Sequence, residues 1–284
     1  MIVIRARVLG FCMGVRRAVE MALEAGKDGL VYSMGPLIHN PQVLASLKEQ
    51  GLEILDEGAL PPDLEGLTVI LRAHGVSPAL EAELIRRHAV LADATCPLVK
   101  KNQLKARSLA EAGFFVFIAG EKHHGEVAGL HGYAPCGIVV AESAEAAQAA
   151  RVLAQENPAA RTALIGQTTI DAGEYGRIGE AIRLHFPALE VVDSICPATR
   201  EWQDALRELC SRVDAVVVAG GRCSSNTRRL LDIALSLGKP ARLVESAAEI
   251  DVSWAAGYRT IGLSAGASTP DSGIAEIESA LAGL

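Results

Sequence analysis

The chain has 284 residues, half of them hydrophobic, and a formal net charge of −7 at pH 7. This length suits about two or three domains, and the acidic balance argues against a nucleic-acid-binding protein. The chain has no run of 18 apolar residues and no long apolar segment near its N-terminus, so we expect neither a membrane span nor a signal peptide. We therefore expect a cytoplasmic location, where six cysteines are core residues, reactive thiols or metal ligands rather than a disulfide framework.

Short apolar runs alternate with alanine- and leucine-rich helical patterns, which predicts an α/β fold with parallel sheets. After an N-terminal strand, IVIRARVLGF, come a helix, the strand LVYS, a second helix, and the strands LEILDE and TVILR. The middle of the chain has a helix followed by FFVFIAG, GIVVAES and RTALIG. The last part has a helix followed by AVVVAGG, ARLVES, YRTIGLS and the closing helix GIAEIESALAGL. The same order of elements thus occurs three times.

A cysteine precedes the first helix of each repeat, in GFCMGV, DATCPLVKK and DSICPATRE. The first polar loop follows 27, 28 and 29 residues later, and the second follows 62, 72 and 72 residues later. We therefore predict three pseudo-threefold-related α/β units in a trefoil, spanning residues 13–93, 94–193 and 194–284, with the N-terminal strand, 1–12, closing the third. Ligands of such sheets bind beyond the carboxyl ends of the strands, so the loops are expected to line one central pocket.

Three thiols at helix starts around one axis would form a metal site with three protein ligands and one open position. A helix N-terminus lowers the pKa of a thiol and favours the thiolate. An all-sulfur set selects zinc, copper(I) or iron–sulfur. The sulfurs come from Cys12, Cys96 and Cys196, and this wide spacing contains no local motif that chooses among these metals. We interpret Cys136 and Cys210 as small buried core residues and give Cys223 no ligand role.

Polar side chains at the predicted strand-to-helix junctions, together with backbone N–H groups, would form a binding site for an anion such as phosphate. The candidates are His39, His74, His124, Thr168, Ser224, Ser225, Asn226 and Ser268. For the hydroxyls the alternative is simple N-capping, and for each histidine it is a partly buried, hydrogen-bonded ring. Glu126 is the carboxylate expected nearest the metal, where it would resist ionisation and could act as an acid near neutral pH. Its alternative is a favourable charge in a first helical turn.

The motifs GFCMGVRRA, LIHN, RAHGV, DATCP, HGEV, GQTT, CPAT, SSNT and AGAS occur in this order over nearly the whole chain. With them the chain resembles the LytB family of 4-hydroxy-3-methylbut-2-enyl diphosphate reductases. The resemblance implies a trefoil around a central [4Fe–4S] cluster and an oxidoreductase that makes isopentenyl diphosphate and dimethylallyl diphosphate from (E)-4-hydroxy-3-methylbut-2-enyl diphosphate. This two-electron reductive dehydroxylation is the last step of the methylerythritol phosphate route to isoprenoids. An external electron donor of the ferredoxin or flavodoxin type is implied.

The resemblance also implies a role for each candidate residue. The cluster would be bound by Cys12, Cys96 and Cys196, which leaves one iron open. The diphosphate would be bound by His39, His74, His124, Ser224, Ser225, Asn226 and Ser268. Glu126 would deliver a proton, with His124 beside it, and Thr168 would help to position the substrate hydroxyl.

Three places depart from the family pattern: Trp202 and Gln203 stand two residues after CPAT, the third cysteine-containing motif; Gly125 stands where proline is frequent; and Arg222 and Cys223 precede the serine pair. We expect the change at Trp202 to alter the outer face or the docking of the electron donor. The alternatives are quinolinate synthase, a non-catalytic iron–sulfur sensor or carrier, and a zinc site. The serine and AGAS loops favour a diphosphate enzyme over these.

Overall fold

Within residues 1–27 and 29–284, which a computed structural model describes, the strands form three parallel four-stranded sheets. The strands are β1 (Ile2–Arg5), β2 (Val31–Met34), β3 (Leu52–Leu55), β4 (Thr68–Leu71), β5 (Val90–Asp93), β6 (Phe115–Ala119), β7 (Ile138–Val140), β8 (Thr162–Gly166), β9 (Glu190–Val191), β10 (Ala215–Ala219), β11 (Ala241–Val244) and β12 (Thr260–Ala265). The helices are α1 (Met13–Gly26), α2 (Pro41–Glu49), α3 (Pro78–Arg86), α4 (Pro97–Glu111), α5 (Gly125–Tyr133), α6 (Ser143–Glu156), α7 (Ala172–Arg183), α8 (Pro197–Cys210), α9 (Ser225–Ser236), α10 (Val252–Ala255) and α11 (Asp271–Ala282).

The three sheets have one topology. Their strand orders are β3–β2–β4–β5, β7–β6–β8–β9 and β11–β10–β12–β1. In the third sheet the N-terminal strand takes the place that β5 and β9 take in the others, with Ile2 opposite Thr260. The predicted α/β class with three related units is confirmed, whereas the exact residue limits of those units stay a prediction.

Two compact bodies can be distinguished in the chain. Body 1 contains Met1–Leu23, Ile38–Gly51 and Pro197–Leu284, and body 2 contains Glu24–Leu37 and Leu52–Cys196. Body 1 therefore holds the third sheet, and body 2 holds the first two sheets.

In body 2, the central strands are apolar on both faces because helices cover both sides of a parallel sheet. Phe117 of β6 packs with Leu164 and Ile178 on one face. The next residue, Ile118, packs with Leu130 on the other face. Because both faces of β6 are buried, the segment FFVFIAG is apolar at consecutive positions.

In body 1, β10 is buried in the same way. Val216 and Val218 pack against Trp202 and Leu206 of α8. The expected role of Trp202 at the outer face is therefore wrong: it is only 8% exposed and belongs to the core of body 1.

The second polar loop comes earlier in the first unit because one connection is shorter. Between β7 and β8 the chain forms the 14-residue helix α6. Between β3 and β4 it forms only a three-residue 3₁₀ turn, Glu57–Ala59. Among the described residues, none of the helices combines the length and the apolar character that crossing a bilayer requires.

Candidate functional site

The three repeated cysteines occupy equivalent backbone positions. Each directly precedes a helix, α1, α4 or α8, and two of these helices begin with proline, which favours a first helical position. The backbone N–H of each cysteine donates to a carbonyl in the loop after another strand, in the pairs Cys12 to Ala267 at 3.1 Å, Cys96 to Ala73 at 3.0 Å and Cys196 to Thr168 at 3.0 Å. The same type of backbone hydrogen bond therefore fixes the position of each of the three cysteines.

The electrostatic surroundings of Cys96 differ from the prediction. Burial raises the pKa of this thiol, opposed by the backbone N–H groups of Leu98 and Val99 at the start of α4. The charges of Cys196 and Glu126 raise this pKa further. The predicted lowering by the helix N-terminus is present but is outweighed, because desolvation is the larger effect. A metal ion that binds the sulfur would displace the proton and reverse this balance.

All six cysteines are free thiols in the described part of the chain. They differ in how far their side chains are buried. The repeated cysteines are half-buried, and Cys210 lies in the core as predicted. Cys223 is exposed. Cys136 is also exposed, so its interpretation as a buried core residue is wrong. It lies in the loop between α5 and β7, beyond the apolar run of that helix.

Glu126 has a buried carboxyl group, and both of its oxygens accept hydrogen bonds from the loop that follows β8. It lies in the first turn of α5 and is only 1% exposed. Its Oε1 accepts the backbone N–H of Thr168 at 2.7 Å, and its Oε2 accepts the Thr168 hydroxyl at 2.9 Å. Burial raises the pKa of Glu126 to about 7, although both bonds from Thr168 lower it. At neutral pH this carboxyl is thus poised to donate or accept a proton.

Replacing Thr168 with valine is expected to raise the pKa of Glu126 further. The hydroxyl of Thr168 donates to the carboxylate and stabilises its charged form, and valine cannot donate. Infrared titration of the Glu126 carboxyl, or the upper limb of a pH–rate profile, would measure the shift. Thr168→Ser retains the hydroxyl and serves as the control. A Glu126 pKa that is unchanged or lower in the valine variant would contradict this assignment.

His74 and His124 form one pair in body 2. Their ring centroids are 5.1 Å apart in an edge-to-face arrangement. His124 is the N-cap of α5, and its Nδ1 accepts the backbone N–H of Glu126 at 3.2 Å. An accepting Nδ1 leaves the proton of a neutral imidazole on Nε2, so His124 presents an N–H donor on its far side. The adjacent His123 is exposed, which identifies His124 as the inward-facing histidine of the pair.

The other polar candidates lie in body 1. The hydroxyl of Ser268 donates to the backbone carbonyl of His39 at 3.1 Å. Ser224 is the N-cap of α9, where its side chain accepts the N–H of Thr227 at 3.3 Å, so the capping alternative holds for this residue. Ser225 and Asn226 are different. They are only 6% and 5% exposed, and neither Ser225 Oγ nor Asn226 Nδ2 has a hydrogen-bond partner among the described residues.

Such unpaired buried donors are rare in folded proteins, and each costs about 1–3 kcal/mol. An anion with several acceptor oxygens would satisfy them, and they lie at a helix N-terminus that favours negative charge. The donor set in this loop therefore fits a phosphate group.

Sequence reasoning gave no role to three polar residues that the fold buries wholly or partly. Gln103 and Gln203 each follow a repeated cysteine by seven residues, and neither Nε2 has a partner in the described part of the chain. The shared spacing is a signal that could have identified them. Arg72 directly follows the buried strand β4 and is partly buried. Its position at the end of an apolar run and at the start of the motif RAHGV were its sequence signals.

Comparisons with known proteins show the family to which the chain belongs. The family model described as LytB protein matches residues 3–282. The chain is similar to 4-hydroxy-3-methylbut-2-enyl diphosphate reductase of Treponema denticola, with 40% identity over 99% of both chains. It is also similar to the enzyme of that name from Aquifex aeolicus, with 38% identity over 98% of this chain and 94% of the relative.

Two solved structures resemble the whole chain. One is the E-1-hydroxy-2-methyl-but-2-enyl-4-diphosphate reductase from Plasmodium falciparum, with a TM-score of 0.89, 27% identity, and coverage of 98% of this chain and 87% of that one. The other is an (E)-4-hydroxy-3-methyl-but-2-enyl diphosphate reductase described as the terminal enzyme of the non-mevalonate pathway. It has a TM-score of 0.70 and 36% identity over the full length of both chains.

Proposed function

Because the chain belongs to the LytB family, we propose that it reduces (E)-4-hydroxy-3-methylbut-2-enyl diphosphate to isopentenyl diphosphate and dimethylallyl diphosphate, the last step of the non-mevalonate route. The reaction breaks the bond between carbon and the terminal hydroxyl oxygen. It consumes two electrons and two protons, one proton leaving with the oxygen as water and one added to carbon. The observation that carries the proposal is the buried Glu126 carboxyl with a pKa of about 7.

We propose a [4Fe–4S] cluster with Cys12, Cys96 and Cys196 as its protein ligands and one iron left open. The equivalent backbone positions of the three thiols, and the two backbone N–H groups at the sulfur of Cys96, support this ligand set. Three thiolates fit iron–sulfur chemistry by their softness. When bound, the cluster would supply Lewis acidity and one-electron transfer.

The polar loops bind the diphosphate in this proposal. Ser225 and Asn226 gain acceptors for their unpaired donors, and the Nε2–H of His124 donates to a phosphate oxygen. The remaining groups of the set are His39, His74, Ser224 and Ser268. These contacts hold the substrate at its unreactive end, so its energy of binding orients the hydroxyl for reaction.

Glu126 holds the proton for the leaving oxygen. Burial raises the pKa of this carboxyl to about 7, so about half of the molecules carry the proton at neutral pH, and Thr168 fixes both of its oxygens in place. A neutral carboxyl can donate to the departing hydroxyl, which would otherwise leave as hydroxide at a much higher barrier. The hydroxyl of Thr168 also lies beside the acid, where it can help to position the substrate hydroxyl.

The two electrons come from outside the chain. We propose a one-electron carrier protein of the ferredoxin or flavodoxin type as the donor, and a cytoplasmic location where such carriers and reduced thiols persist.

Anaerobic turnover with the hydroxylated diphosphate and a chemical one-electron reductant tests the function. Formation of both isoprenoid diphosphates and water supports it. Cluster-containing protein that makes neither product would overturn it and favour a sensor or carrier. Production of quinolinate from the substrates of quinolinate synthase would favour that enzyme, and stoichiometric zinc in place of iron would favour a zinc site.

A further inference from the structure

The guanidinium of Arg72 lies in a slot where two glycines have no side chain. A Cβ atom built on Gly35 would come within 2.6 Å of its Nη1 atom, and one built on Gly125 would come within 3.1 Å of its Cζ and Nη2 atoms. Gly35 also has a φ of +68°, a conformation that favours glycine. The guanidinium thus fills the space of two missing side chains, one in the loop after β2 and one at the start of α5.

The same arginine closes the turn that carries His74. The N–H of Gly75 donates to the carbonyl of Arg72 at 2.8 Å, and Nε of Arg72 donates back to the carbonyl of Gly75 at 3.1 Å. On its other side, the guanidinium meets Gly125, the residue between His124 and Glu126. Arg72 therefore joins the turn of one histidine to the helix start of the other.

Its charge is poorly compensated. Among the described residues, no carboxylate oxygen lies within 4.0 Å of the guanidinium, and Glu57 acts on it only from a greater distance. Burial lowers the pKa of Arg72, yet an arginine remains protonated at neutral pH because its ordinary pKa is so high. A partly buried cation without a close counterion favours binding of an anion nearby.

We propose that Arg72 is a positioning residue of the diphosphate site, which joins the turn of His74 to the helix start of His124 and places a permanent positive charge beside that turn and that helix start. This inference rests on the proposed function. A Cβ atom at position 125 would require the guanidinium to shift, so glycine at this position leaves Arg72 where it is. The interaction acts equally on bound substrate and transition state, so it should appear in KM rather than in kcat.

Steady-state kinetics of the cluster-containing enzyme and calorimetric binding of inorganic pyrophosphate test the proposal. Arg72→Met is expected to raise KM and the pyrophosphate Kd about tenfold while kcat stays within about twofold. Arg86→Met, which removes an exposed arginine of α3 that pairs with Glu83, is the matched control and should change neither. A KM and a Kd of wild-type size in Arg72→Met would overturn the proposal.

Gly125→Val is a second test variant, and it tests the role of Arg72 even if Arg72→Met fails to fold. It keeps the charge but fills the slot, so KM and the pyrophosphate Kd should again rise. In the double variant the two changes should not add, because each removes the guanidinium from the same position. Full additivity, or a Gly125→Val variant with wild-type KM, would overturn the proposal. Wild-type enzyme that neither turns over nor binds pyrophosphate would overturn the proposed function itself.

Discussion

Glu126→Gln is expected to lower kcat by about 10²–10⁴-fold, the usual effect of removing a general acid. Glutamine has nearly the same shape and can still accept the N–H of Thr168, so the loop should stay in place. The cluster spectrum and iron content should match wild type. A variant that turns over at the wild-type rate would show that the proton comes from another group.

The pH dependence gives this variant a second readout. Glu126 must be protonated to act as the acid, and its pKa is about 7, so wild-type kcat should fall as pH rises through 7. The residual rate of Glu126→Gln should lack this limb. A pH–rate profile of each enzyme, measured anaerobically, makes the comparison; an identical alkaline limb in the variant would contradict the assignment.

The same carboxyl links folding to pH. Its pKa is about 7 in the folded chain and near 4.5 in an unfolded one, so the folded state binds more protons between these values. Its contribution to stability is therefore lost as pH rises from 4.5 to 7. The cost above pH 7 is about 3 kcal/mol. Glu126→Gln should remove this part of the pH dependence in denaturant unfolding.

Cys96→Ser is expected to abolish turnover and to leave most of the protein without iron and sulfide after anaerobic reconstitution. A serine hydroxyl stays protonated near neutral pH and is a harder, poorer ligand for iron–sulfur. Cys223→Ser is the matched control, because that thiol is exposed and has no proposed role, and it should retain wild-type iron and activity.

Iron and sulfide analysis with the visible absorption spectrum measures this outcome. Wild-type iron and sulfide in Cys96→Ser would remove Cys96 from the ligand set. Loss of iron in both serine variants would point to a general effect on folding rather than to ligation, which thermal unfolding of each variant would reveal.

Much of the fold followed from one repeated pattern. Three copies of a cysteine before a helix, with apolar runs at matching distances, predicted the three related units and the closing of the third by the N-terminal strand, which pairs with β12. This worked because a parallel strand buried on both faces leaves a clear apolar run, and a helix start leaves a proline or a capping residue.

The misses have physical causes. Trp202 was interpreted as a surface residue, although Leu206 and Leu209 follow it at helical spacing and place it on the buried face of α8. Arg72 could not be assigned from sequence because its slot is made by Gly35 and Gly125, which the fold alone brings to it. The pKa of Cys96 depends on how far the folded chain buries its sulfur, and this burial could not be predicted from the sequence.

The most direct test of the central claim is an anaerobic absorption and Mössbauer measurement of the reconstituted protein, before and after addition of (E)-4-hydroxy-3-methylbut-2-enyl diphosphate. We predict a brown protein with a [4Fe–4S] signal in which one iron is distinct, and a change in the signal of that iron when the substrate is added. A colourless protein, or a cluster whose spectrum the substrate leaves unchanged, would contradict a three-cysteine cluster that acts on this diphosphate.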